Sequence, residues 1–345
     1  MKTYRFILFA ILLPLISFAK IPEQLTATAF TEYTFPSNTC KYIDHQGTKI
    51  FIQANSFYLG EKLYEGEVVF KFRQFTDQLD ILLNHIPMTY ASADNKYTLE
   101  SGGMFECYAY GNGKLLSFAP GKNMNIQLKT NFDIAGGELY KLNPTTKMWE
   151  KKTIFANNIN ANENLPDSKA DYWFDNFNNQ EDAGFSGIQT NNTVAVVDPK
   201  TGNVVYELVQ MTNADEIFKT MNINEMGFYN CDKILDEQNA VDITVDFDLK
   251  GYNKKLASAV YVVYKNRNAV FTYYPDKTTY SIKLLAGEEC TIFSFGTDGK
   301  IALADQSKLM NTDLKNMKNI QLTIPMTVIK NTPNSKAELA QLTGL

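Results

Sequence analysis

Chemistry in this chain would have to run through very few side chains. There are two histidines, His45 and His85, and a nucleophile–histidine–acid triad would need one of them. His45 lies in Asp44-His45-Gln46-Gly47, which reads as a turn between strands, and His85 precedes Ile86-Pro87 in a connection. Neither sits in a G-x-S-x-G elbow, an H-E-x-x-H helix or a G-x-x-x-x-G-K-[ST] loop, so both read as structural or solvated. A pair of carboxylates facing a cleft would suffice for glycoside hydrolysis, and Asp242, Asp246 and Asp248 form the obvious row. Alternate residues of a strand share a face, so this row reads more simply as the wet side of an edge strand. No D-x-D-x-D-G loop accompanies it to hold calcium. The expectation is a protein with no catalytic residues, no metal site and no cofactor.

Four cysteines, Cys40, Cys107, Cys231 and Cys290, have no C-x-x-C spacing and too few histidines around them for zinc. In an exported chain an even count favours disulfides. The sequence cannot choose among the three pairings; with two cysteines in each half, Cys40–Cys107 and Cys231–Cys290 are the candidates, and four buried thiols are the other reading.

Export itself is read from the start of the chain. Lys2 and Arg5 precede an apolar run over 6–16 and then Ser17-Phe18-Ala19, the pattern of a secretory signal cleaved after Ala19. The run is shorter than the roughly 20 residues a membrane helix needs, so the mature chain is not expected to span a membrane. The expected location is the periplasm or the cell surface. Of 33 Lys+Arg and 38 Asp+Glu, the signal takes two basic residues, leaving 31 against 38. That balance argues against a nucleic-acid partner, which would call for a basic face.

The elements that must position these groups are strands. Residues 48–52, 67–75, 103–110, 123–128 and 138–142 are short β-type runs, joined by turns such as Gly111-Asn112-Gly113 and Asn143-Pro144-Thr145-Thr146. Trp149 reads as a core plug on the last of them. The second half resumes at 241–249, which alternates apolar and acidic without a fault, and continues through 257–264, 269–274, 280–285, 289–295, 300–303 and 320–329. Helices are expected only at 213–220 and 305–317. The resulting architecture is all-β, with two antiparallel sandwiches: a signal over 1–19, a sandwich over 25–154, a connector over 155–192, a second, immunoglobulin-like sandwich over 193–330 and a fraying polar tail over 331–345.

The connector holds ten asparagines and Pro166, yet also Tyr172, Trp173, Phe174 and Phe177. One helical turn would put Trp173 and Phe177 on one face. Such a turn either docks on a domain or offers an aromatic platform beside Asp171, Asp175, Glu181 and Asp182, so these four aromatics are the candidate binding residues. The partner would be an envelope protein or a surface glycan.

The run from Gln46 to Phe57 leading into Gly66-Glu67-Val68-Val69-Phe70 resembles the opening of ZU5-type β-sandwich domains. The segments 80–88, Glu100-Ser101-Gly102-Gly103-Met104-Phe105-Glu106 and Gly227-Phe228-Tyr229-Asn230-Cys231-Asp232 resemble a family of exported Bacteroidota proteins built as two β-sandwiches. These resemblances imply the two-sandwich fold and export, and carry no catalytic residues. Some ZU5-containing proteins cleave themselves at His-Phe-Ser; here His85 is followed by Ile86-Pro87, so self-cleavage is not expected. The function this supports is that of a non-catalytic structural or protein-interaction module of the cell envelope, with a carbohydrate-binding or carbohydrate-processing protein using residues 171–182 as the alternative.

Overall fold

The computed structural model describes residues 21–22, 25, 28–91, 96–132, 134, 137–152, 193–197, 204–208, 217–237, 239–249, 259–275, 279–296, 298–305 and 320–345. The expected signal, the aromatic connector and the helix at 305–317, apart from Asp305, lie outside these residues. The fold is all-β. In chain order come β1 (Thr31–Pro36), β2 (Lys41–His45), β3 (Thr48–Ile52), β4 (Phe57–Leu59), β5 (Lys62–Leu63), β6 (Glu67–Phe75) and helix α1 (Gln78–Leu83). They are followed by β7 (Thr89–Ala91), β8 (Lys96–Gly111), β9 (Lys114–Leu115), β10 (Ser117–Phe118), β11 (Met124–Thr130), β12 (Glu138–Leu142) and β13 (Trp149–Lys151). A separate hairpin pairs β14 (Thr193–Val197) with β15 (Val204–Leu208), and then come β16 (Ile217–Ile223) and β17 (Gly227–Ile234).

The first sandwich packs a sheet of order β1-β6-β8-β17-β12-β13 against one of order β16-β11-β3-β2. Val68, Phe70 and Phe72 of β6 and Phe105, Cys107 and Ala109 of β8 face Ile50 and Ile52 of β3 and Met124, Ile126 and Leu128 of β11, in one continuous core. Their period-2 spacing is what the alternating sequence dictates. Tyr64 closes one end: a Cβ on Gly111 would lie 2.3 Å from its ring, so only glycine fits there.

Residues 217–234 do not belong with the second sandwich, where the sequence reading places them. β16 pairs with β11, and β17 runs between β8 and β12, completing both sheets of the first sandwich. For the same reason Ile217–Thr220 is strand, not the expected end of a helix. Helix-type spacing over so short a run loses to a ladder of seven cross-strand pairs.

The second sandwich comprises β18 (Ala240–Asp248), β19 (Val260–Tyr264), β20 (Val270–Tyr273), β21 (Tyr280–Leu285), β22 (Cys290–Phe295), β23 (Ile301–Ala304) and β24 (Ile320–Val328), in the order β20-β19-β22-β23-β24-β18-β21. β24 serves both layers. Its residues up to Pro325 pair in parallel with β18, and Met326–Val328 pair antiparallel with β23. Pro325, lacking an N–H, stands at the switch. Between the layers lie Ile243, Val245, Phe247, Val260, Val262, Ile282 and Ile324.

The tail does not fray. Lys336–Thr343 form helix α2, capped by the Ser335 side chain on the Glu338 amide and ended by Gly344 in the left-handed region. Leu339 is fully buried and the Thr291 hydroxyl donates to the Thr343 carbonyl at 2.8 Å. Among the described residues no helix is long and apolar enough to cross a membrane.

Candidate functional site: a cleft between the two sandwiches

Helix α1 was not expected from the sequence, and it sets the geometry of the boundary. The Asp77 side chain accepts from the Asp80 amide at 3.0 Å, and Asp80 Oδ2 reaches back to the Thr76 amide at 2.9 Å, closing the helix start. Lys336 of α2 then bridges Asp80 at 2.6 Å and Asp77 at 2.8 Å. Burial works to lower the Lys336 pKa, but the two carboxylates outweigh it and raise the pKa. At the other end of α1 the His85 amide bonds to the Leu82 carbonyl and the Ile86 amide to the Ile81 carbonyl, both at 3.0 Å. This closure needs a left-handed residue, and His85 takes it with φ of 53° where glycine is the usual occupant.

Leu79, Ile81, Leu82 and Leu83 of α1 enter a second core that joins the two sandwiches. Phe75, Met104, Tyr140 and Trp149 come to it from the outer face of the first sandwich; Tyr261, Val263, Phe293 and Phe295 come from the second. Trp149 is 1% exposed, donates its indole N–H to the Pro87 carbonyl at 2.5 Å and meets Phe228 edge to face. The core-plug expectation for Trp149 thus places it correctly, with the boundary as the core it plugs.

One side of the boundary is closed by polar contacts. The turn Lys265–Asn268 between β19 and β20 rests on the first sandwich. Gln78 donates to the carbonyls of Tyr264 (2.9 Å) and Arg267 (2.9 Å), and the Ser101 amide donates to the Asn268 carbonyl (3.0 Å). Arg267 holds the buried Glu100 at 2.9 Å and Glu288 at 2.9 Å. Nearby, Ser101 donates to Asn230, whose amide donates to Asp232. Asp232 is fully buried; desolvation raises its pKa well above the carboxylate range, the Ser101 hydrogen bond opposes this, and the Glu100 charge adds to it.

The other side is open. A cleft of about 500 Å³ runs between the Ile81–Met88 segment and β20. That is the size of a small-ligand site. One wall is apolar (Leu82, Ile86 and Met88), the other is Val270 through Tyr274, and His85 stands on the rim. Tyr274 is 59% exposed, the most exposed large hydrophobic side chain among the described residues. Glu237 and Lys283 also line the cleft and neutralise each other at 2.6 Å. The Tyr273 phenol, pushed up to about 12 by burial and opposed by its bond to the Lys283 backbone, stays protonated and able to donate.

The residues singled out from sequence fare unevenly. Tyr172, Trp173, Phe174 and Phe177 lie outside the described residues. His45 is buried against Phe72 and shares a 2.8 Å hydrogen bond with the Tyr33 hydroxyl; burial lowers its pKa, Asp44 opposing, so the ring is neutral. The acidic row lies on an interior strand, not the expected edge strand: Asp242 faces Lys283 of β21, and Asp246 and Asp248 face Thr323 and Pro325 of the parallel β24.

The disulfide expectation is corrected as well. All four cysteines are free, with Cys40 exposed, Cys107 and Cys231 buried in the first sandwich and Cys290 half-buried in the second. Cys231 touches the Met221 sulfur at 3.8 Å inside that core, and burial pushes Cys107 up to about 12, so these thiols pack as small hydrophobes. Among the described residues no three His, Cys, Asp or Glu side chains cluster as a metal site would require.

The cleft itself was missed because its two walls are about 185 residues apart in sequence and neither carries a motif. The one local signal was the Tyr273-Tyr274-Pro275 end of a strand, where aromatic side chains meet a residue that cannot continue a ladder. Comparison with protein-family models, with curated proteins and with solved structures finds no match in any of the three.

Proposed function

We propose that this chain is an exported, non-catalytic protein of the bacterial envelope or cell surface that works by holding a partner protein in the cleft between its sandwiches. Export is inferred from the signal pattern over residues 1–19. The observation that carries the binding reading is the cleft: a recess of about 500 Å³ with one apolar and one aromatic wall, whose charged pair is already neutralised internally. Recesses of this make-up are where proteins hold ligands. The two sandwiches that form it share a buried core, so the recess is standing before any partner arrives.

Support for a glycan instead comes from Tyr274, whose exposed side chain lines the cleft together with Thr89 and Thr272. A photo-crosslinking residue placed at Tyr274 in living cells tests the main reading, with one at Leu115 as control, since Leu115 is 54% exposed on the first sandwich. One discrete protein adduct from position 274 and none from position 115 is the expected result. Equal labelling from both positions, or turnover of a defined substrate by the purified protein, would refute it.

A further inference from the structure

The sheet of the second sandwich bends back until its two edge strands, β20 and β21, approach each other without a ladder between them. Tyrosine hydroxyls fill the gap. Tyr273 donates to the Lys283 carbonyl at 3.0 Å and accepts from the Lys283 amide at 3.1 Å, while Tyr264 accepts from the Leu285 amide at 2.8 Å. The edge of β21 is thus satisfied by side chains at residues 283 and 285.

The edge of β20 is not. The Tyr264 amide bonds to the Ala269 carbonyl, and the register carries that phase along the pair: Phe271 and Tyr273 are the residues whose main-chain groups turn toward Val262 and Val260. Val270 and Thr272 therefore turn their N–H and C=O groups the other way. Among the described residues no strand pairs with them there; both residues line the cleft, Thr272 exposed and Val270 only 6% exposed within the shared core.

We propose that the free edge of β20 at Thr272 docks an extended segment of a partner protein, which adds as a further strand and sets an apolar side chain against Leu82, Ile86 and Met88. This rests on the protein-binding reading above and names the chemistry of the partner. A strand edge offers donor and acceptor together at every second residue, a pattern that another polypeptide backbone matches and a sugar ring does not. Because Glu237 and Lys283 satisfy each other, the segment is uncharged where it lies in the cleft.

The test uses the full mature protein and a phage-displayed library of random heptapeptides. A selected peptide is made in a plain form and in one methylated on alternate backbone amides. The plain form binds; backbone methylation, or Thr272→Pro, weakens it by about tenfold or more. Thr272→Pro removes only a donor that points away from β19, so the β19–β20 ladder is kept. Independently of any variant, bound peptide slows amide exchange at Thr272 in the wild type. Binding that survives both methylation and Thr272→Pro, unchanged exchange at the Thr272 amide, or no selected peptide would overturn the proposal. An oligosaccharide whose binding is lost with Tyr274→Ala but kept with Thr272→Pro would overturn it too, while leaving a binding role for the cleft standing.

Discussion

The β19–β20 hairpin meets the first sandwich in two ways along its length. Its turn, Lys265–Asn268, is pressed into the neighbouring sheet, with Gln78, Ser101 and Glu100 all bonded to it. A few residues on, Val270 packs into the shared core, and the strand then opens out so that Thr272 and Tyr274 are exposed on a wall of the cleft. One hairpin is therefore a rivet at its tip and a cleft-lining edge along its second strand. The difference comes from what the first sandwich presents. Opposite the turn it offers the Gln78 side chain and the Ser101 amide, which donate to the turn's carbonyls, and Glu100, which accepts from Arg267; opposite β20 the wall is mainly apolar, with Leu82, Ile86 and Met88. Carbonyls find donors at the first place, and a strand edge finds no backbone at the second.

Breaking the closed side should cost the most. Trp149→Ala empties the centre of the shared core and removes an indole hydrogen bond, and should destabilise by about 3–5 kcal/mol in urea unfolding. An effect below about 1 kcal/mol would mean that the sandwiches are not packed through Trp149. Arg267→Ala leaves Glu100 buried with only Lys233, at 3.4 Å, and should cost about 1.5–3 kcal/mol by the same measurement.

Asp232 sharpens the same side along a pH axis. Its carboxyl holds a proton to higher pH in the folded state than in the unfolded one. The stability it contributes is complete below the ordinary aspartate range and is lost as pH rises through the raised folded value. Asp232→Asn should therefore be the more stable protein at alkaline pH and close to wild type under acid conditions. A wild-type midpoint with the same pH dependence as the variant's would contradict this.

The open side should be sensitive to smaller changes. Tyr273→Phe deletes the hydroxyl that spans the seam and should cost about 1 kcal/mol, with faster exchange of the Lys283 amide. His85→Gly relieves a left-handed residue and should raise stability by about 0.5–1 kcal/mol in thermal melts, with no loss of fold. A destabilised His85→Gly would show that the imidazole on the rim is held by contacts worth more than its strain.

Much of the second sandwich was legible because its strands alternate cleanly and its turns carry asparagine and glycine. What period alone cannot supply is the neighbour of each strand. Asp242, Asp246 and Asp248 alternate as an edge strand would, yet Lys283 on β21 and the parallel β24 flank them, so their acidity marks a solvent-facing side and says nothing of an edge. Residues 217–234 follow the same rule: their β-character was partly readable at best, and their membership in the first sandwich depends on partners about 100 residues earlier. Helix α1 spans only six residues, all buried, so it shows no polar face to betray a helical period. In the polar tail, one Ser335 cap, one Leu339 and one Lys336 reaching Asp77 and Asp80 decide order, and none of these contacts is local enough to read in advance.

The decisive comparison is within one sheet. Residue-resolved amide exchange of the unliganded protein should show Lys283 and Leu285 protected by their tyrosine hydroxyls, and the exposed Thr272 exchanging much faster from an unpaired edge of the cleft wall. Equal protection at all three amides would contradict the account, since it would mean that the edge of β20 is already occupied and the cleft has nothing to offer a partner strand.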